Sequence, residues 1–164
     1  MREVRDSLGF TLIEALVALT IMAIVVTAAS LLYVSGYRQY ARENDRIEVQ
    51  ENLRIAMARM AAKIRQAKPD SVNITDAGSH IEFTLSFSGE STGYRLDALD
   101  KEIEEKFQGK DGTAWLPIAS NITGLLFKYD AAAGMVAVTV TGERGKSGSV
   151  SLTTEVHLRV GENG

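Results

Sequence analysis

Cysteine is absent from the 164 residues, which excludes a disulfide framework, a thiolate metal site and a cysteine nucleophile, whatever compartment the chain occupies. Histidine is nearly absent. His80 and His157 stand far apart in strand-like surroundings and leave little material for a histidine-based metal or catalytic centre. Basic charge is not in excess either: a net charge of −3 and a pI of about 5.5 argue against nucleic acid as a partner, because a polyphosphate calls for a basic patch. No serine nucleophile elbow and no phosphate-cradling glycine loop occurs. Neither catalysis nor a cofactor is expected. Proline occurs only at 69 and 117, so none interrupts a helix before Pro69.

What the chain does have is a long run almost free of charge. Between Gly9 and Ser30 the one charged residue is Glu14, and no other charge follows before Arg38. From Ala15 to Val34 the run is about 20 residues, or about 30 Å as a helix, which matches a bilayer core. Such a segment is compatible with a cleaved secretory signal, a plain signal anchor, or a specialised anchor with a processing site ahead of the apolar run. The first fits least, because a secretory apolar region is shorter and carries no acid at its head. Arginines flank both ends, Arg2 and Arg5 before it and Arg38, Arg42 and Arg46 after it, so charge bias alone leaves the orientation open. A carboxylate in hydrocarbon is costly unless paired or at the interface, which makes Glu14 a functional-site candidate. Taken singly, Gly9 could be a helix boundary and Glu14 a first-turn acid favoured by the helix dipole.

The combination Leu8-Gly9-Phe10-Thr11-Leu12-Ile13-Glu14 ahead of an apolar helix closely resembles the type IV prepilin class, which comprises pilins, minor pilins and the pseudopilins of type II secretion. The resemblance implies cleavage between Gly9 and Phe10 by a membrane prepilin peptidase and N-methylation of the new amino terminus. Residues 1–9 would be a leader that is removed, and Glu14 would act in assembly. It implies as partners the peptidase, other pilin or pseudopilin subunits, the inner-membrane assembly platform and membrane lipid. The implied location is a single pass through the inner membrane with the C-terminal domain outside the cytoplasm, and then a pilus or pseudopilus. Leaders of this class are usually basic; here Arg2 and Arg5 are balanced by Glu3 and Asp6.

Beyond Gly36 the helical pattern becomes amphipathic. Ile47, Leu53, Met57, Met60 and Ile64 supply an apolar stripe, and charged residues occupy most of the remainder as a solvated surface. Pro69 disfavours helix at Lys68, so a helix of about 58 residues, roughly 85 Å, is expected from Phe10 to about Ala67, with Ser35-Gly36 as a candidate bend. Past Pro69 the period switches to two. Ile81, Phe83, Leu85 and Phe87; Val136, Val138 and Val140; and Val150, Leu152, Thr154, Val156, Leu158 and Val160 each define a strand with one buried face. Weaker strand candidates lie at 72–75, 94–99, 102–107 and 125–129, and Ser88-Gly89, 109–112, Ala133-Gly134 and 142–148 read as turns. The expected fold is α+β, a pilin-like lollipop whose long helix packs on an antiparallel sheet. Its expected parts are the leader 1–9, the transmembrane and filament-core helix 10–36, its amphipathic continuation 37–68 and the sheet of the head 69–164.

Two further stretches, Val49-Gln50-Glu51-Asn52-Leu53-Arg54 leading to Lys63-Ile64-Arg65-Gln66-Ala67, and residues 116–125 leading to Tyr129, resemble PilW-type minor pilins and, more distantly, the J-type minor pseudopilin. The lack of cysteine tilts the same way, since major pilins often carry a C-terminal disulfide loop. The resemblance therefore implies a minor subunit of a type IV pilus acting in filament initiation, or alternatively a minor pseudopilin. A membrane-anchored periplasmic binding or adhesion module is the alternative of another class. Asp97, Asp100, Glu102, Glu104 and Glu105 form the densest acidic cluster, read as a solvated hairpin rather than a calcium site because it lacks the order and glycine turn of an EF-hand loop. Trp115 and Tyr94 read as the edge of the core.

Overall fold

The computed structural model describes residues 11–109 and 112–159. Gly9 and Phe10 therefore lie outside the described residues. One helix, α1, spans Leu12–Ile64, followed by β1 (Asn73–Thr75), β2 (His80–Thr84), β3 (Ser91–Asp97), β4 (Glu102–Gly109), β5 (Gly112–Ala119), β6 (Ile122–Asp130), β7 (Met135–Gly142) and β8 (Val150–His157). The chain divides into two compact units, one up to Ala41 and one from Arg42. In the first, α1 is exposed along its whole described length, and an 18-residue window of this helix reaches a mean hydropathy of 2.5, long and apolar enough to cross a membrane. It passes through Ser35-Gly36 without a break.

In the second unit the fold is α+β, with the later turns of α1 packed on antiparallel sheets. Strands β1 to β5 form one sheet in chain order, and β6, β7 and β8 form a second, where a single sheet was expected. The alternation of β2, β7 and β8 resolves as read: Ile81 and Phe83, then Val136, Val138 and Val140, then Val156, all face inward. They join Val49, Leu53, Ala56, Met57, Met60 and Ile64 of α1 in one buried cluster. The helix stripe corrects one expected residue. Ile47 is 54% exposed, and Val49 at 1% takes the inward position, because four residues before Leu53 is close to a full turn whereas six is about a third of a turn off the face.

Two further expectations change, and one strand is added. Helix α1 ends at Ile64, one turn before the expected end. Gln66 and Ala67 donate their N–H groups to the carbonyls of Lys63 and Ile64, tightening the last turn, and Lys68 N–H then pairs with Thr84 O at 2.9 Å beside β2. Phe87 does not continue β2: the strand stops at Thr84, Leu85 N–H bonds Glu90 O, and Phe87 stands 82% exposed in the turn. Strand β5 carries no clean period of two, yet it forms the edge of the first sheet, where Pro117, lacking an N–H, is tolerated.

Candidate functional site

Helix α1 opens with the sequence Thr11-Leu12-Ile13-Glu14, in which a hydroxyl residue precedes an acid by three positions. That spacing lets each side chain reach the other's backbone N–H, satisfying two of the donors a helix start leaves orphaned. Thr11 N–H donates to Glu14 Oε2 at 3.0 Å, Thr11 Oγ1–H donates to the same oxygen at 2.9 Å, and Glu14 N–H donates to Thr11 Oγ1 at 3.3 Å. The first helical bond, Ala15 N–H to Thr11 O at 3.2 Å, starts directly behind it. Glu14 is thus oriented rather than free, with Oε2 engaged and Oε1 taking no hydrogen bond among the described residues. The carboxylate shares a helix face with Val17, Ala18 and Ile21.

The threonine and serine hydroxyls further along the apolar stretch are internally satisfied. Thr20, Thr27, Ser30 and Ser35 donate their hydroxyls to the carbonyls of Leu16, Ala23, Val26 and Leu32 at 2.7–2.9 Å, the back-bonding that lets a hydroxyl sit in a helix without an outside partner. What the described start of α1 offers is therefore an apolar helix with one carboxylate oxygen that takes no hydrogen bond among the described residues. It can recruit a cation and apolar surface. Thr11 is the residue whose role the sequence reading missed, although the threonine–x–x–glutamate spacing was its visible signal.

In the second unit the acidic cluster separates into different roles. Asp97 caps its own turn, accepting the N–H groups of Leu99 and Asp100 at 2.9 and 3.3 Å, and Glu104 receives Arg95 Nε at 2.7 Å. Glu105, expected in a solvated hairpin, is instead 3% exposed. Its strand faces α1, whose Arg59 Nε lies 2.9 Å from Oε2 and whose Lys63 Nζ pairs with Oε1. Tyr94, its cross-strand partner, is fully buried with a hydroxyl that has no well-aligned hydrogen-bond partner. Burial pushes the Tyr94 phenol far above its usual range, and the Glu105 charge adds to the rise while Arg59 opposes it. Trp115 is half-buried rather than in the core, under the Arg95 guanidinium at 4.4 Å and edge-on to His80 at 5.4 Å. Among the described residues no group of three or more His, Asp or Glu side chains is arranged to hold a metal ion.

Residues 4–30 match a family model described as the prokaryotic N-terminal methylation motif. The match covers Gly9, Phe10, Thr11 and Glu14 together with most of the apolar run, and it supports a pilin-like or pseudopilin subunit processed by prepilin peptidase. No curated protein and no solved structure matches the chain.

Proposed function

We propose that this chain is a minor structural subunit of a type IV pilus, cleaved between Gly9 and Phe10, methylated at Phe10 and assembled through α1, with a role in starting filaments. The observation that carries the reading is the methylation motif over residues 4–30, continuous with a helix apolar enough to span a bilayer. Cleavage would leave a Phe10 amine, and an α-amine ordinarily titrates at about 7.7–8.0 and so holds positive charge near neutrality. Glu14 follows Phe10 by four positions in the chain. Its Oε2 is committed to Thr11, which remains in the mature chain, and Oε1 is open to the amine of a neighbouring subunit. In an apolar bundle an unpaired carboxylate is costly, so the docking register that supplies a cation is favoured over others. The chain would sit once through the inner membrane, its C-terminal domain outside the cytoplasm.

The lack of cysteine fits a minor pseudopilin of type II secretion equally well. Deletion of the gene separates the two: loss of surface filaments marks the pilus, loss of exported enzymes with filaments intact marks secretion. Processing is tested by intact-mass measurement of membrane-extracted protein from a peptidase-positive host. The expected chain starts at Phe10 and carries one N-methyl group, and Gly9→Val retains the leader because a side chain obstructs a cleft shaped for bare backbone. A wild-type chain still starting at Met1 overturns the assignment.

A further inference from the structure

We propose that the loop joining β7 to β8, residues 143–149, is a salt-releasable clasp on the first turns of the helix in the second unit. The apolar core takes hold of α1 at Val49. Before it, from Arg42 to Glu48, every residue is exposed except Asp45 and Glu48, which are half-buried. These two acids lie three positions apart on one helix face, and Arg144 reaches both: its Nε stands 3.7 Å from Asp45 Oδ1, and Nη1 pairs with Glu48 Oε1.

The loop is shaped to present that arginine. Arg144 N–H donates to Ser147 Oγ at 3.3 Å, its carbonyl accepts Ser147 N–H at 3.0 Å, and Ser147 Oγ–H donates to Gly148 O at 3.0 Å. Glu143 N–H bonds Asn121 O at 2.9 Å and ties the near end to the start of β6. Two glycines allow the loop backbone to lie on the helix. A Cβ at Gly142 would stand 2.9 Å from Asn121 O and 3.0 Å from Val49 Cγ1; one at Gly145, whose φ is +54°, would stand 2.7 Å from Asp45 Oδ2. The first is a position of close approach; the second favours glycine for its conformation, and a Cβ there would push the Asp45 carboxylate aside.

The hold exerted by this loop is ionic. Its side chains are Glu143, Arg144, Lys146, Ser147 and Ser149, with no apolar residue among them, and the three paired side chains are 30–44% exposed. Such pairs are screened by salt, whereas the apolar hold from Val49 onward is not. Closed, the unit grips α1 from Asp45; open, it grips from Val49, and about one helical turn is released without disturbing the core.

Hydrogen–deuterium exchange of the full chain in detergent micelles tests this, reading amides 46–52, whose carbonyl acceptors lie at 42–48. In Arg144→Gln at low salt those amides should exchange about two- to five-fold faster, the range for a pair or two of exposed ion pairs, with amides 57–64 unchanged. Raising NaCl to about 1 M should accelerate the same amides in the wild type and add little in the variant. Gly145→Ala, which keeps every charge but crowds Asp45, should give the same local release. Wild-type exchange at 46–52 in Arg144→Gln, or equal acceleration at 57–64, overturns the clasp.

Discussion

At the scale of single residues, the cap that Glu14 forms with Thr11 and the assembly role proposed for it compete only in appearance. A first-turn acid and an assembly acid would use different oxygens: Oε2 closes the cap with Thr11, and Oε1 takes no hydrogen bond among the described residues. Thr11→Val, which keeps the shape and removes the hydroxyl, should therefore weaken Glu14 without deleting it. Helix-cap losses run at about 1 kcal/mol, so filament incorporation should fall only part of the way. Glu14→Ala should be cleaved at Gly9 and inserted normally yet enter filaments poorly. Quantitative immunoblotting of sheared filaments against the membrane pool measures both; wild-type incorporation of Glu14→Ala would leave the acid as a cap alone. The motif that contains Gly9, Phe10 and Glu14 was legible because a motif reports residue identity and spacing directly. The reciprocal bonds of Thr11 were encoded in the same seven letters and went unread.

At the scale of elements, the apolar contact between α1 and the five-stranded sheet is joined by a carboxylate that pattern reading assigned to solvent. Glu105 sits in a run of acids, and periodicity alone does not reveal that two cations one turn apart on α1, Arg59 and Lys63, converge on it. Similarly, Ile47 was read into the apolar stripe at a spacing of six from Leu53, and the angular phase of the helix hands the position to Val49. Strand β5 escaped notice because an edge strand carries little burial pattern. Tyr94 beside Glu105 makes a pH prediction with a definite sign. An unfolded tyrosine ionises at about 10, while the folded Tyr94 phenol is held neutral well above that. Below pH 10 both states keep the proton; above it only the unfolded chain gives it up, so stability falls as pH rises. Tyr94→Phe keeps the ring and should change stability near neutrality by less than about 1.5 kcal/mol. The fall in urea midpoint between about pH 9 and about pH 11 should be shallower in the variant than in the wild type. Identical alkaline slopes would show that Tyr94 is not the linked group.

At the scale of the whole molecule, the division near Ala41 predicts that the second unit is self-sufficient. A chain beginning at Tyr37 retains every buried residue of the core from Val49 to Leu158 and should be soluble and unfold cooperatively, with strand and helix signals lost together in circular dichroism. Aggregation, or separate transitions, would mean that the sheets depend on what precedes them. Both levels of the fold were visible in advance where a strong period ran long, as in the helix from Leu53 to Ile64 and strands β7 and β8. The split into two sheets was not, because pairing partners are set by non-local contacts that a one-dimensional pattern does not contain. The hydroxyls of Thr20, Thr27, Ser30 and Ser35, each returned to its own helix, carry a last consequence. Passage of this segment from lipid tails to a sheath of protein helices would require none of those four groups to change partners. Its surroundings become interchangeable, and among residues 12–35 Glu14 is the one ionised group by which it could tell them apart.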